Sequence, residues 1–484
     1  MVEKNIGISQ QTLVSNAGDR NVAAARKLPQ YVAGIAATLG ALACGMVLAW
    51  TSALGKNGVK LQSEYDIDIS VDEFSWIGSL VTLGAAAICI PIGILSDLIG
   101  RKTAMLMLVV PFSVGWLLII FANSVFMFYV GRFLTGVSGG AFCVTAPMYT
   151  AEIAESQIRG TLGSYFQLML TVGILVTYLL GPHISIKDLS VASAAVPILF
   201  FCVFFFMPET PVYYLKKGDE DRARASLVRL RGPHYNCEPE LMAQQEVLAE
   251  AERNKQPLLQ AINTKAARKG LLVGFGLMLF QQLSGVNAII FYSTQIFQKA
   301  DPTTQPDFAN AVLGVIQVGA VFLSTLIVDR LGRRILLLLS MFMMCISLVV
   351  LGYYFHLSSN GTDVSNISWL PILCTCSFIF IFSIGFGPIP WMMMGELFSQ
   401  NIKGIASSSA CLFNWLMAFV VTKYYNPLEE ATNTQTCFWL FSGICALGTV
   451  FVFIMVPETK GKSLEEIQFE LGGGVRSSMP KSRV

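Results

Sequence analysis

The chain has 484 residues, 54% of them hydrophobic and only 13% charged, with a net charge of +2 and a mean hydropathy of +0.60. A soluble domain cannot bury that much apolar surface, so lipid must solvate much of it. So small a net charge gives no reason to expect a nucleic-acid partner.

Residues 1–30 are polar and read as a tail. The first apolar run, 31–53, is too long for a cleaved signal peptide. Further runs follow at 75–96, 103–122, 125–147, 161–181 and 190–207, then at 270–296, 309–328, 335–356, 370–394, 404–424 and 437–456. None shows the alternation of a membrane β-barrel strand. The expectation is an all-α membrane protein with twelve transmembrane helices, six plus six. Lys and Arg crowd the loops on the side of both chain ends, which predicts cytoplasmic termini.

Charged boxes punctuate the runs. After the second comes Asp97-Leu98-Ile99-Gly100-Arg101-Lys102; after the fourth, Glu152 and Arg159; after the sixth, Pro208-Glu209-Thr210. All three recur in the same order as Asp329-Arg330-Leu331-Gly332-Arg333-Arg334, Glu396 with Lys403, and Pro457-Glu458-Thr459. Ordered duplication marks an internal repeat. Six-helix bundles are therefore expected over 31–207 and 269–456, joined by a hydrophilic linker over 208–268. Asp219–Leu230 and Glu238–Glu252 have helix-forming composition and predict short cytoplasmic helices there. Residues 457–484 form a second tail, opening with a helical stretch around Ser463–Ile467.

Membrane proteins built from repeated halves usually bind their solute between them. Polar groups within spans are costly, so their positions are informative. The densest set opens the second half: Gln281, Gln282 and Asn287, with Gly285 weakening the helix and Phe291-Tyr292 beyond. Amides donate and accept, as hydroxyl-rich solutes do. In the tenth run, Gly385-Phe386-Gly387-Pro388-Ile389-Pro390-Trp391 predicts a bent helix with Trp391 offering a flat apolar face. An aromatic platform beside amides suits a sugar ring. Gln167 and Gln317 are lone amides in the fifth and eighth runs. Interhelical amide bonding is the structural alternative for all of them.

The cytoplasmic charges Asp97, Arg101, Glu152, Arg159, Asp329, Arg333, Glu396 and Lys403 fit an inner gate in which pairing across the halves closes the mouth. Simple helix-end anchoring is the competing reading. Asn360-Gly361-Thr362 and Asn366-Ile367-Ser368 are glycosylation sequons in the predicted external loop between helices nine and ten. Gly136-Val137-Ser138-Gly139-Gly140 fits the nucleophile-elbow formula but lies inside a span, where its glycines suit helix packing. The 11 cysteines form no C-x-x-C pair. No catalytic constellation, metal site or cofactor motif emerges, and an enzyme is not expected.

Together with Gly131-Arg132, Tyr149-x-x-Glu152, Arg159-Gly160, Asn414-Trp415 and Pro457-Glu458-Thr459-Lys460-Gly461, these motifs resemble the sugar-porter branch of the major facilitator superfamily across nearly the whole chain. The chain is most similar to the facilitative glucose transporters and the insect facilitated trehalose transporters. The resemblance implies a twelve-helix fold of two pseudo-symmetric bundles that works as a monomer by alternating access. It implies a sugar site of Gln167, Gln281, Gln282, Asn287 and Trp391, an outer gate spanning Gly285, Phe291 and Tyr292, and an inner gate of the charge boxes. Gln317, Ser383, Ala418 and Val212 depart from the hexose-porter pattern, whereas Gln167 fits it and tilts the expectation toward glucose or a similar hexose over trehalose. Proton-driven relatives carry an Asp where Val47 stands, so downhill uniport at the plasma membrane is expected. A proton symporter and a sugar sensor that no longer transports are the rival readings.

Overall fold

The computed structural model describes residues 25–155, 157–253, 258–300, 306–462 and 464–473. The expectations for most of the first tail, for Ser463, for the side chain of Asp329 and for the final eleven residues lie outside them.

Among the described residues, 12 helices are long and apolar enough to cross a membrane. They are α1 (Leu28–Ala53), α2 (Val71–Ile99), α3 (Arg101–Ile120), α4 (Val125–Ile153), α5 (Arg159–Leu180), α6 (Ile186–Phe204), α7 (Lys265–Ala300), α8 (Pro306–Val328), α9 (Arg333–Ser359), α10 (Ser365–Leu397), α11 (Ile402–Ala431) and α12 (Thr434–Met455). Each matches one apolar run. Several outlast their runs, because helix propagation needs only backbone hydrogen bonds, not an apolar surround. The eleventh run ends near Tyr424, yet its helix continues through Pro427 to Ala431.

The packing repeats. α1 lies on α5 as α7 lies on α11, α2 on α4 as α8 on α10, and α3 on α6 as α9 on α12. The halves meet where α2 lies on α11, α5 on α8, and α1 on the second segment of α7. Within the first half, a side chain at Gly136 would collide with the Val81 carbonyl, and one at Gly140 with Ala85. The G-x-S-x-G stretch is thus a packing seam that brings α4 against the backbone of α2.

The duplicated boxes share one construction. The chain turns at Gly100 (φ +103°) before α3 and at Gly332 (φ +93°) before α9, a region of backbone space that favours glycine. The Glu209 carboxylate accepts from the N–H groups of Arg101 and Lys102, and Glu458 accepts from Arg333 and Arg334. Each carboxylate therefore meets the positive end of a helix. A Cβ on either glycine would run into that carboxylate.

The linker carries helices Pro211–Lys216, Glu220–Arg231, Glu238–Arg253 and Leu258–Ile262. They are tied to the membrane bundle by Arg231, which is buried, donates to the Ile153 carbonyl at 2.7 Å and pairs with Glu240.

Candidate functional site

The broken helices α7 and α10 place the site. α7 is helical over Lys265–Leu283 and again over Val286–Ala300, with Gly285 at φ +87° between the segments. A side chain at Gly285 would also press on the Phe441 ring, 2.6 Å away. α10 stops at Ile384 and restarts at Ile389, so the Gly-Pro stretch interrupts the helix, as its residues predict.

An amide chain bridges these breaks. Gln281 Nε2 donates to the carbonyls of Phe386 (2.8 Å) and Gly387 (2.9 Å), which the α10 interruption leaves free. Asn414 Nδ2 donates to Gln281 Oε1 at 2.8 Å, and Gln282 Nε2 donates to Asn414 Oδ1 at 2.9 Å. Asn287 Nδ2 then donates to Gln282 Oε1 at 2.5 Å, across the α7 break. The polar capacity of Gln281 is thereby committed to holding the α10 interruption. Asn287 is half-buried at the other end of the chain, and Trp391 is half-buried in the first turn after the α10 break.

The structure therefore brings Gln281, Gln282 and Asn287 together. It places Gln167 half-buried on α5 and Gln317 buried on α8, neither with a hydrogen-bond partner among the described residues. Asn414, the hub of the chain, was visible in sequence only as half of an Asn-Trp pair. Nothing in the spacing shows that a residue of α11 touches two glutamines of α7.

Tyr292 and Phe291 are fully buried at the end of the bundle opposite the linker. Tyr292 donates to the Thr422 carbonyl at 2.8 Å and stacks on Tyr425 with ring centres 5.3 Å apart. Hydroxyls cross between the halves here. Ser52 meets Ser293 at 2.7 Å and Thr294 at 3.0 Å, and Tyr178 donates to the Ile290 carbonyl at 3.0 Å.

The linker end is built differently. Arg101 is buried and pairs with Asp97 and Glu152 at 2.7 and 3.0 Å, while Arg333 meets Glu396 at 3.2 Å. These ion pairs stay within their own halves, where pairing across the mouth was expected. Lys403 is half-buried and near Glu396 in the second half, and Arg159 is exposed on α5. Gly160, Thr161 and Gly163 of α5, Met392 and Gly395 of α10, and Gly404 and Ile405 of α11 are exposed as well. Glu209 and Glu458, to which sequence assigned no role, organise this end. Burial outweighs the N–H donors around Glu209 and holds its pKa above the ordinary carboxylate range. Burial also acts on the less buried Glu458, but the N–H groups of Lys460, Arg333, Arg334 and Thr459 prevail and hold it below that range.

Arg132 is fully buried in α4. Its Nε donates to the Ile77 carbonyl, Nη1 to the Val47 carbonyl at 2.9 Å, and Nη2 to the Thr51 hydroxyl, with the Trp50 ring 5.1 Å away.

Residues 31–471 match the family model described as "Sugar (and other) transporter". The facilitated trehalose transporter Tret1 of Culex quinquefasciatus is 39% identical over 92% of this chain and 86% of that protein. The protein of the same name from Polypedilum vanderplanki is 40% identical, over 92% and 89%. That from Anopheles gambiae is 40% identical too, but the match spans only 56% of its length. Among solved structures, the proton:xylose symporter XylE bound to 6-bromo-6-deoxy-D-glucose superposes with a TM-score of 0.75 over 91% of this chain and 99% of that one. Its 21% identity speaks for the fold alone. With matching motifs, helix count and pseudo-symmetry, this chain belongs to the sugar transporter family of the major facilitator superfamily.

Proposed function

We propose that the chain is a facilitative sugar uniporter working by alternating access, with trehalose as its first candidate substrate and glucose as the second. The amide chain between the interruptions of α7 and α10 is the observation that carries this reading. It sets hydrogen-bonding groups at the breaks of two helices, with Trp391 in the first turn after one of them. A sugar entering there would bond to Asn287 and Gln282, meet Gln167 from α5 and Gln317 from α8, and rest a ring face on Trp391. Gln281 and Asn414 would hold this arrangement in register.

Trehalose stands first because the similar curated proteins carry that name over 92% of this chain. Glucose stands second on the strength of Gln167. The sealed end, with Phe291, Tyr292 and the hydroxyls of Ser52 and Ser293, acts as an outer gate that Gly285 allows to swing. The exposed ends of α5, α10 and α11 then form the open inner mouth. In the opposite conformation Arg101, Arg333, Lys403 and Arg159 would trade partners across the halves. Lys- and Arg-rich loops put the linker in the cytoplasm, which leaves Asn360 and Asn366 exposed outside for glycosylation.

The surroundings of Arg132 support the uniport reading. Its donors engage two carbonyls and a hydroxyl, and no carboxylate lies among those partners to take up a proton. The test is uptake of labelled trehalose and glucose into proteoliposomes, with and without a pH gradient. Equilibration without accumulation is expected. Proton-driven accumulation would overturn uniport, and absence of flux for both sugars would favour the sensor reading.

A further inference from the structure

A lysine from the second half reaches into the first at the end of the bundle opposite the linker. Lys423 Nζ of α11 lies 2.5 Å from Asp72 Oδ1 in the first turn of α2, and 4.5 Å from the centre of the Trp76 ring one turn on. The lysine side chain is only 7% exposed, whereas that of Asp72 is 70% exposed. One helical turn further along α11, Asn426 Nδ2 approaches the Ser75 hydroxyl at 3.4 Å, and one turn back Phe419 lies 5.8 Å from Trp76. We propose that Lys423 is a latch of the outer gate, holding the mouth closed by engaging Asp72 and Trp76 across the halves.

The physical case rests on what opening would cost. A lysine stem packs well against an aromatic face, and its ammonium is attracted to the ring electrons. Parting α2 from α11 at this end gives up both contacts at once. An exposed ion pair on its own adds little, but here the cation is nearly excluded from water and has two partners on one helix. The latch is also separate from the hydroxyl seal at Ser52, Ser293 and Tyr178, which joins α1 and α5 to α7. Lys423 is a positioning residue on the same helix as Asn414, further toward the end opposite the linker, and is not required to touch sugar.

The proposal rests on the alternating-access reading, so its test measures opening directly, without sugar. Ser293 is buried within the seal itself, and a cysteine there, kept in every variant as the common background, reacts with a membrane-impermeant thiol reagent from the outside only when the mouth opens. Ser293→Cys is followed by peptide mass analysis in full-length protein in liposomes, alone and combined with Asp72→Asn, with Lys423→Met, and with both. Asp72→Asn is the safeguard, because its exposed side chain can change without disturbing packing. Each single change should speed labelling by about fivefold to tenfold, a factor equivalent to roughly 1–1.4 kcal/mol. The double change should add little to Lys423→Met, since that change already removes the ion pair along with the ring contact. The exchanged pair, Asp72→Lys with Lys423→Asp, should return labelling toward that of Ser293→Cys alone. Measurable labelling at the same rate in all variants sinks the latch and leaves alternating access standing. A cysteine at 293 that never reacts in any variant sinks both.

Discussion

Replacing Asn414 by leucine tests the site most sharply. Leucine has the same number and branching of heavy atoms as asparagine and residue 414 is 1% exposed, so the change removes hydrogen bonding while keeping the outline of the side chain. Three contacts go: the donation to Gln281, the acceptance from Gln282, and the weak contact to Met278 sulfur at 3.3 Å. Gln281 keeps its bonds to the α10 carbonyls but is left with an unpaired oxygen, and Gln282 loses the partner of its amide nitrogen. Each buried orphan costs about 1–3 kcal/mol. Gln282 can turn its freed nitrogen toward the solute path, so the low end of the summed range, about 2 kcal/mol, is the better figure. If half or more of that is lost from sugar binding, Kd rises roughly fivefold to thirtyfold. Isothermal titration with trehalose and glucose on purified protein reads the affinity, and thermal denaturation reads the stability. A variant that binds sugar as tightly as the parent, with an unchanged melting temperature, would refute the amide chain as the organiser of the site.

Gly285→Ala forces a side chain into left-handed backbone at a cost of about 1–2 kcal/mol and presses on Phe441. Flux per molecule should fall, and an unchanged turnover would remove this hinge from the cycle. Glu458→Gln exchanges charge-assisted bonds to the start of α9 for neutral ones and should lower stability by about 1–2 kcal/mol. The native carboxylate has a depressed pKa, so its contribution is present above the unfolded value and is lost as pH falls through the native one. Melting curves on the acid side should therefore be flatter with pH in the variant; parallel curves would contradict the cap. Val47→Asp sets a carboxylate beside Arg132, whose Nη1 lies 2.9 Å from the Val47 carbonyl. Sugar flux should become dependent on pH, and a flat profile would argue against the absent carboxylate as the reason for uniport.

The charge boxes illustrate how far the sequence could be read. Charge inside an apolar chain is expensive enough to stand out, and its ordered recurrence exposed the repeat. The reason for the glycine in each box was not readable. Glu209 caps α3 from a position more than one hundred residues away, and Glu458 does the same for α9. The gates divide along the same line. Tyr292 and Gly285 could be placed beside an interruption from local composition, whereas pairing across the inner mouth was inferred from duplication and is replaced here by ion pairs within each half.

Composition and periodicity alone determined a twelve-helix membrane protein in two related halves, because backbone groups in lipid must be satisfied within each helix and apolar length is a local property. The broken helices were equally local, set by glycine and proline. Tertiary structure decided which polar groups meet: that Asn414 joins Gln281 to Gln282, that Arg132 rests on carbonyls, and that Lys423 reaches Asp72. Those contacts depend on how helices far apart in the chain are rotated and crossed, which side-chain packing sets and no single segment encodes.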